Sequence, residues 1–139
     1  DSRIRRRPMG YASNPGHIRA KERRTSAAWY EERLNASETS EREGMPGTIT
    51  FGMQVGGPTR LNVSYQPPKS SPERAIPELN RLGLEHFGFH VEDLESEMAR
   101  FEAEGIRVIL PLTVTPQGIK LAYIEGPDDV VIELVQPAP

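Results

Sequence analysis

Two short segments with alternating side chains constrain the fold of this chain most. Gly83–Val91 reads GLEHFGFHV. Because successive side chains of a strand point to opposite faces, this segment predicts a strand with His86, Gly88 and His90 on the same face. Val130–Gln136 reads VVIELVQ and predicts a second strand, with Glu133 among apolar residues. A carboxylate in such a strand is costly unless something pairs with it.

Histidine and glutamate on neighbouring strands are a typical start of a divalent metal site. His86 and Glu133 are therefore the candidate ligands of the second half of the chain. The alternative is that Glu133 lies at a sheet edge or pairs with a lysine or arginine, and spacing alone leaves both interpretations open.

Composition narrows the class of protein. The length of 139 residues suits one compact domain or two small fused modules, and the net charge of −3 does not favour nucleic acid as a partner. The absence of cysteine excludes disulfides and thiolate ligands and makes a cytoplasmic setting the expectation. No apolar run approaches the roughly 20 residues of a membrane span, and we expect no membrane association. The basic run near Arg5 is typical of a solvated end.

The sequence of the first half of the chain predicts few helices and strands. We expect short strands at Met9–Ser13, Thr48–Val55 and Arg60–Tyr65, and a helix at Ala27–Leu34 capped by Thr25 or Ser26. The polar segments 17–24 and 35–47 are typical of a loop and a flexible connection.

The second half is more strongly patterned. A helix capped by Asp93 carries an apolar stripe and ends at Gly105. Three further strands are expected, at Ile106–Leu110, Gly118–Glu125 and Val130–Val135, with a loop at Pro111–Gln117. The order from residue 83 is therefore strand, helix, strand, strand, strand. The first half repeats it weakly, since MGYAS matches FGFHV and RLNVSYQP matches VIELVQPA.

The segment Gly83–Gln136 resembles the second module of the vicinal oxygen chelate superfamily, which includes glyoxalase I, methylmalonyl-CoA epimerase, extradiol dioxygenases, and fosfomycin and bleomycin resistance proteins. The resemblance is carried by HFGFHV, by the helix that follows, and by the ending IELVQP. It implies an α+β fold of two tandem βαβββ modules that form a half-open barrel around a divalent metal. The module boundaries that we expect are 1–68 and 83–139, with a linker at 69–82.

In that family each module supplies metal ligands from its first and last strands. By resemblance, His86 and Glu133 are the ligands of the second module, and Asn62 matches the last-strand ligand of the first. The identity of the first-strand ligand depends on which of two registers the first strand adopts. His17 serves if the strand is at GHI, whereas Pro8 takes the position if the strand is at MGYAS, and the hydrophobic pattern favours the second register.

The resemblance implies a metal enzyme of the isomerase or lyase type, which acts on a small oxygen-bearing substrate through a metal-stabilised enolate or alkoxide. The metal is Zn, Ni, Co, Fe or Mn. Candidate acid–base groups are His90 and Tyr123, beside Glu133; the alternative for both is a packed or hydrogen-bonded structural residue.

Three other functions stay open. An extradiol-type dioxygenase uses the same fold, a drug-sequestering resistance-type protein needs no complete ligand set, and a degenerate module can serve within a larger complex. A third ligand beside His86 and Glu133 favours a metal enzyme, and an apolar cavity there favours binding. We also expect a homodimer, because each sheet leaves edges and one open face.

Overall fold

The computed structural model describes residues 16–43, 49–56, 59–65 and 83–139. Its contacts separate the chain into two compact units, with the main division after Tyr65 and the short segment 20–22 grouped with the second. Each unit contains a four-stranded sheet and a helix, and the predicted α+β fold of two βαβββ modules is confirmed. The predicted linker 69–82 and the predicted strand at Met9–Ser13 lie outside the described residues.

The first module runs through one helix and four strands: β1 Gly16–Ala20, α1 Arg23–Leu34, β2 Ser37–Glu43, β3 Ile49–Gln54 and β4 Arg60–Tyr65. The strand order is β1-β4-β3-β2, so β2 is an edge strand. Ala27 and Tyr30 of α1 are fully buried, as are the apolar residues that alternate along β3 and β4. The helix therefore covers one face of the sheet and forms the core of this module.

The interpretation of residues 17–24 as a loop is wrong, because β1 occupies Gly16–Ala20. Ile18 and Ala20 are buried, and His17 and Arg19 point to the other face. The strand that neighbours β4 therefore begins at GHI, which is the first of the two registers considered above.

The helix also starts earlier than predicted, at Arg23, so Thr25 and Ser26 lie inside it. The guanidinium of Arg24 lies 4.1 Å from the ring centre of Phe51 and 2.9 Å from a carboxylate oxygen of Glu38. These tertiary contacts stabilise the extra turn, and the sequence pattern does not contain them.

The segment 35–47 is not simply a flexible connection, because β2 occupies Ser37–Glu43 and pairs antiparallel with β3. Its sequence, SETSERE, has no apolar residue, and nearly all of its side chains are exposed. A polar, charged strand at a sheet edge is stabilised by main-chain hydrogen bonds and discourages further pairing, so hydrophobic periodicity does not reveal it.

The second module repeats the order: β5 Phe87–His90, α2 Leu94–Ala103, β6 Val108–Val114, β7 Lys120–Glu125 and β8 Val131–Gln136. Its strand order is β5-β8-β7-β6, with β5 parallel to β8 and the other pairs antiparallel. The predicted cap is confirmed, because the Asp93 side chain accepts a hydrogen bond from the Ser96 backbone N–H. Gly105, at a φ of 75°, follows the end of the helix.

The predicted loop Pro111–Gln117 is wrong in its first half, because β6 continues to Val114. β6 is an edge strand, and its pairing with β7 shifts register on both sides of Leu110. An edge strand with bulges tolerates Pro111, whose missing N–H would break the ladder of a central strand.

We expect Phe101→Ala to lower the free energy of unfolding by about 3–5 kcal/mol. Phe101 is fully buried on α2, and truncation leaves a cavity against the sheet. Urea unfolding followed by circular dichroism measures the change. Glu102→Ala, at the next and exposed position, is the matched control and should change stability by less than about 0.5 kcal/mol. Equal effects of the two variants would contradict the packing described for α2.

Candidate metal centre

The pairing of β5 with β8 places Glu133 directly beside a glycine. Gly88 is the partner of Glu133 in the parallel ladder. A Cβ atom at position 88 would lie 2.9 Å from the Glu133 carbonyl oxygen and 3.2 Å from its Oε1. The glycine therefore leaves room for the glutamate side chain, and this explains why the alternating strand carries a glycine there.

His86 lies immediately before β5 and faces the same carboxylate. Its Nε2 is 3.9 Å from Oε1 of Glu133, and the two side chains are 30% and 22% exposed. A small ligand can reach groups of this exposure. The two predicted residues of the second module are therefore brought together by the fold.

Glu85 is hydrogen-bonded to the other imidazole nitrogen of His86. Its Oε1 lies 3.0 Å from Nδ1 of His86. When Nδ1–H donates to this carboxylate, Nε2 carries the lone pair on the side of Glu133. A carboxylate on the far nitrogen of a histidine is the usual orienting partner of a metal ligand. Sequence reasoning missed Glu85, because strand alternation would have put it on the opposite face.

Tyr123 completes the cluster from β7. It is the partner of Glu133 in the antiparallel ladder, and its ring packs edge-on against the ring of His86 with centres 4.9 Å apart. Burial, the hydrogen bond to Glu133, and the charges of Glu133 and Glu85 raise the pKa of Tyr123 to about 12. Its hydroxyl therefore keeps its proton near neutral pH and donates to Glu133.

His90, the other predicted acid–base candidate, lies farther along β5. It is exposed and pairs with Val135 rather than with Glu133. Among the described residues, the side chains of His86 and Tyr123 approach Glu133. The fold thus joins one of the two predicted acid–base groups to the candidate ligands.

The candidate ligands of the first module lie on the face of its sheet away from α1. His17 is exposed on β1, and its Nε2 is hydrogen-bonded to the hydroxyl of Ser64, which is fully buried on β4. Burial, followed by the charges of Arg19 and Arg42, lowers the pKa of His17. Asn62 is half-buried on β4, opposite Gly52. Ser64 has no signal in the sequence beyond its place two residues after Asn62.

The separation of His86 and Glu133 is suitable for two ligands of one divalent cation. Bonds of about 2.0–2.2 Å place neighbouring ligand atoms about 3–3.5 Å apart, so the 3.9 Å separation closes with a small side-chain rotation. A protein site of this type needs at least one further ligand. In the described part of the chain, no group of three or more histidine, cysteine or acidic side chains is gathered around a common point for a metal ion.

We expect Glu133→Gln to lower the pKa of Tyr123 from about 12 toward the ordinary value of 10, because two of the causes of the shift belong to that carboxylate. Ultraviolet difference titration, with Tyr123→Phe to identify the signal among the four tyrosines, measures the change. Glu95→Gln, an exposed carboxylate on α2, is the control. A Tyr123 pKa that stays the same in Glu133→Gln would contradict the hydrogen bond.

Comparison with known proteins identifies the family to which the fold belongs. A family model described as the Glyoxalase/Bleomycin resistance protein/Dioxygenase superfamily matches residues 14–134. No curated protein matches the chain. No helix among the described residues is both long and apolar enough to cross a membrane.

Three solved structures are similar over nearly the whole chain. A glyoxylase/bleomycin resistance protein/dioxygenase domain from Frankia sp. EAN1pec has a TM-score of 0.75 at 18% identity and covers 91% of each chain. The fosfomycin resistance protein FosX from Listeria monocytogenes, complexed with Mn(II) and sulfate, has a TM-score of 0.66 at 16% identity and covers 94% of this chain and 95% of its own. TnmS3, an antibiotic binding protein from Streptomyces sp. CB03234, has a TM-score of 0.69 at 19% identity and covers 94% and 99%.

These likenesses agree with the two repeated βαβββ modules and with the family match over most of the sequence. This chain belongs to the Glyoxalase/Bleomycin resistance protein/Dioxygenase superfamily, whose fold is that of the vicinal oxygen chelate proteins.

Proposed function

We propose that this protein is a divalent-metal-dependent enzyme of the isomerase or lyase type, which acts on a small oxygen-bearing substrate. The observation that carries the proposal is the approach of His86 Nε2 to Glu133 Oε1, with Glu85 on the opposite nitrogen of the imidazole. A structural ion pair of His86 and Glu133 needs no such orienting carboxylate, whereas a metal-binding imidazole typically has one.

Each residue of the candidate site has a separate proposed role. His86 and Glu133 would hold the cation, which would supply Lewis acidity toward oxygens of the substrate. His17 and Asn62 are proposed as the candidate ligands of the first module. Glu85 orients the imidazole of His86, and Tyr123 holds a proton at its hydroxyl beside Glu133, where it can donate a hydrogen bond to a developing negative charge.

The raised pKa of Tyr123 limits its role. A general base is most effective when its pKa lies near the working pH, and about 12 is far above that range. Tyr123 therefore acts as a proton or hydrogen-bond donor rather than as a base. Glu133 is the carboxylate available to accept a proton in a reaction that needs a base.

A second candidate function is the binding of a small molecule without catalysis. The first module offers an amide, Asn62, where the second offers the carboxylate Glu133, and an amide oxygen is a weak ligand for a cation. TnmS3, which shares the fold, is described as an antibiotic binding protein. A protein of this type would bind its ligand without any bound metal.

We expect the purified protein to contain nearly one equivalent of Zn, Ni, Co, Fe or Mn by elemental analysis, and His86→Ala and Glu133→Ala each to lose most of it. His90→Ala is the matched control, because it removes an exposed imidazole from the same module and should keep the metal. If wild type binds none of these ions even after incubation with each, the metal enzyme is excluded and the binding function becomes the better proposal.

We also expect Glu85→Gln to weaken metal binding by about 10–100-fold without abolishing it, because the amide orients His86 less firmly than the carboxylate does. Competition with a chromophoric chelator measures the affinity. Glu92→Gln, an exposed carboxylate between β5 and α2, controls for the loss of one negative charge. Equal weakening in both variants would show that net charge, rather than orientation, sets the affinity.

A further inference from the structure

The first sheet has a cationic face on the side away from α1. We define the cationic face by four exposed side chains, His17, Arg19, Arg42 and Arg60, together with the polar strand residues between them. The ladders of β2 with β3 and of β3 with β4 fix which residues share this face. It carries three arginines and no carboxylate from the described strands of this module.

The carboxylates of β2 are kept off this face by a register shift. Glu38 and Glu41 pair with Met53 and Phe51, whose side chains are buried under α1. Both glutamates bridge to Arg24 of that helix. The shift between Glu38 and Ser40 leaves Arg42 opposite Thr50, on the other face. The edge strand thus separates its charges, with acids toward the helix and the arginine toward the cationic face.

A row of four residues crosses the sheet here. Arg42 pairs with Thr50, Thr50 pairs with Ser64, and the Ser64 hydroxyl is hydrogen-bonded to His17 Nε2. Thr50 and Ser64 are buried, whereas His17 and Arg42 are exposed at the two ends. The hydrogen bond with Ser64 fixes the ring of His17 on this face.

This arrangement places positive charge on one face of the sheet. Arg19 follows His17 by two residues on β1 and therefore shares its face, and Arg42 lies at the other end of the row that begins at His17. Arg42 forms a hydrogen bond to Ser40 and no ion pair with a carboxylate among the described residues. An oxyanion bound here would accept charge-assisted hydrogen bonds from both arginines.

We propose that the cationic face binds an oxyanionic group of a small ligand, a carboxylate or a phosphate ester, through Arg42 and Arg19, beside His17. Ser64 is a positioning residue that holds the imidazole. The overall charge of −3 gives no hint of this site, because the excess of acids lies elsewhere in the chain. Binding of the oxyanion would not require metal at His86 and Glu133.

The test is a titration of metal-free protein with inorganic phosphate at low ionic strength, followed by NMR of the imidazole C–H groups. The chain has three histidines, so the signals are readily assigned by substitution. We expect saturable shifts of His17 and no shift of His90. Arg42→Gln should weaken the binding of phosphate about tenfold or more, because it removes a charged hydrogen-bond donor.

Arg107→Gln is the matched control, since it removes an exposed arginine that is paired with Glu125 in the second module, and it should leave phosphate affinity unchanged. Arg19→Gln provides a second variant should Arg42→Gln fail to fold, and it is also expected to weaken the binding of phosphate.

Equal loss of affinity in Arg107→Gln, or no saturable shift of His17 in wild type, would overturn the proposal. Binding of an oligonucleotide without any binding of phosphate would overturn it in favour of a polyanion surface. Because no metal is present, failure here is distinct from failure of the proposed metal enzyme.

Discussion

The candidate centre depends on the parallel pairing of β5 with β8. This pairing sets Gly88 against Glu133, and the missing Cβ makes space for the carboxylate. A shift of the register by one residue would turn Glu133 toward α2 and into the core, where an ionised carboxylate is strongly disfavoured. The same register brings His86 to Glu133, and the antiparallel ladder of β7 with β8 adds Tyr123. The two ladders of β8 therefore decide both the packing of the module and the chemistry of its other face.

The two modules share one fold and differ in what their sheets carry away from the helix. In the second module that face combines a carboxylate, an imidazole and a phenol, and Glu85 behind the imidazole orients it. In the first module it combines arginines with a serine-anchored histidine. The helix-facing sides are alike, with buried apolar residues such as Phe51 and Ile132. Duplication of a βαβββ unit thus preserves the core pattern while each open face diverges in charge.

Much of the second module could be predicted from its sequence, because apolar residues alternate on its strands and a capped helix stands between them. The pair His86 and Glu133 followed from the same alternation. The first module was harder to predict. β2 is polar on both faces, and β1 contains only two apolar residues, Ile18 and Ala20, so neither strand gives a strong hydrophobic signal. Glu85 was missed because it precedes the regular part of β5, where strand alternation no longer applies. Ser64 was missed because its role depends on a neighbouring strand distant in sequence.

X-ray absorption of the cobalt-loaded protein would identify the ligand atoms of the metal. We expect imidazole scattering from a nitrogen at about 2.0–2.1 Å from the metal, taking zinc–histidine distances as a guide, and a reduced imidazole contribution in His86→Ala. Spectra that show only oxygen ligands, or that are the same in wild type and His86→Ala, would contradict the assignment of His86 and Glu133 as the metal site.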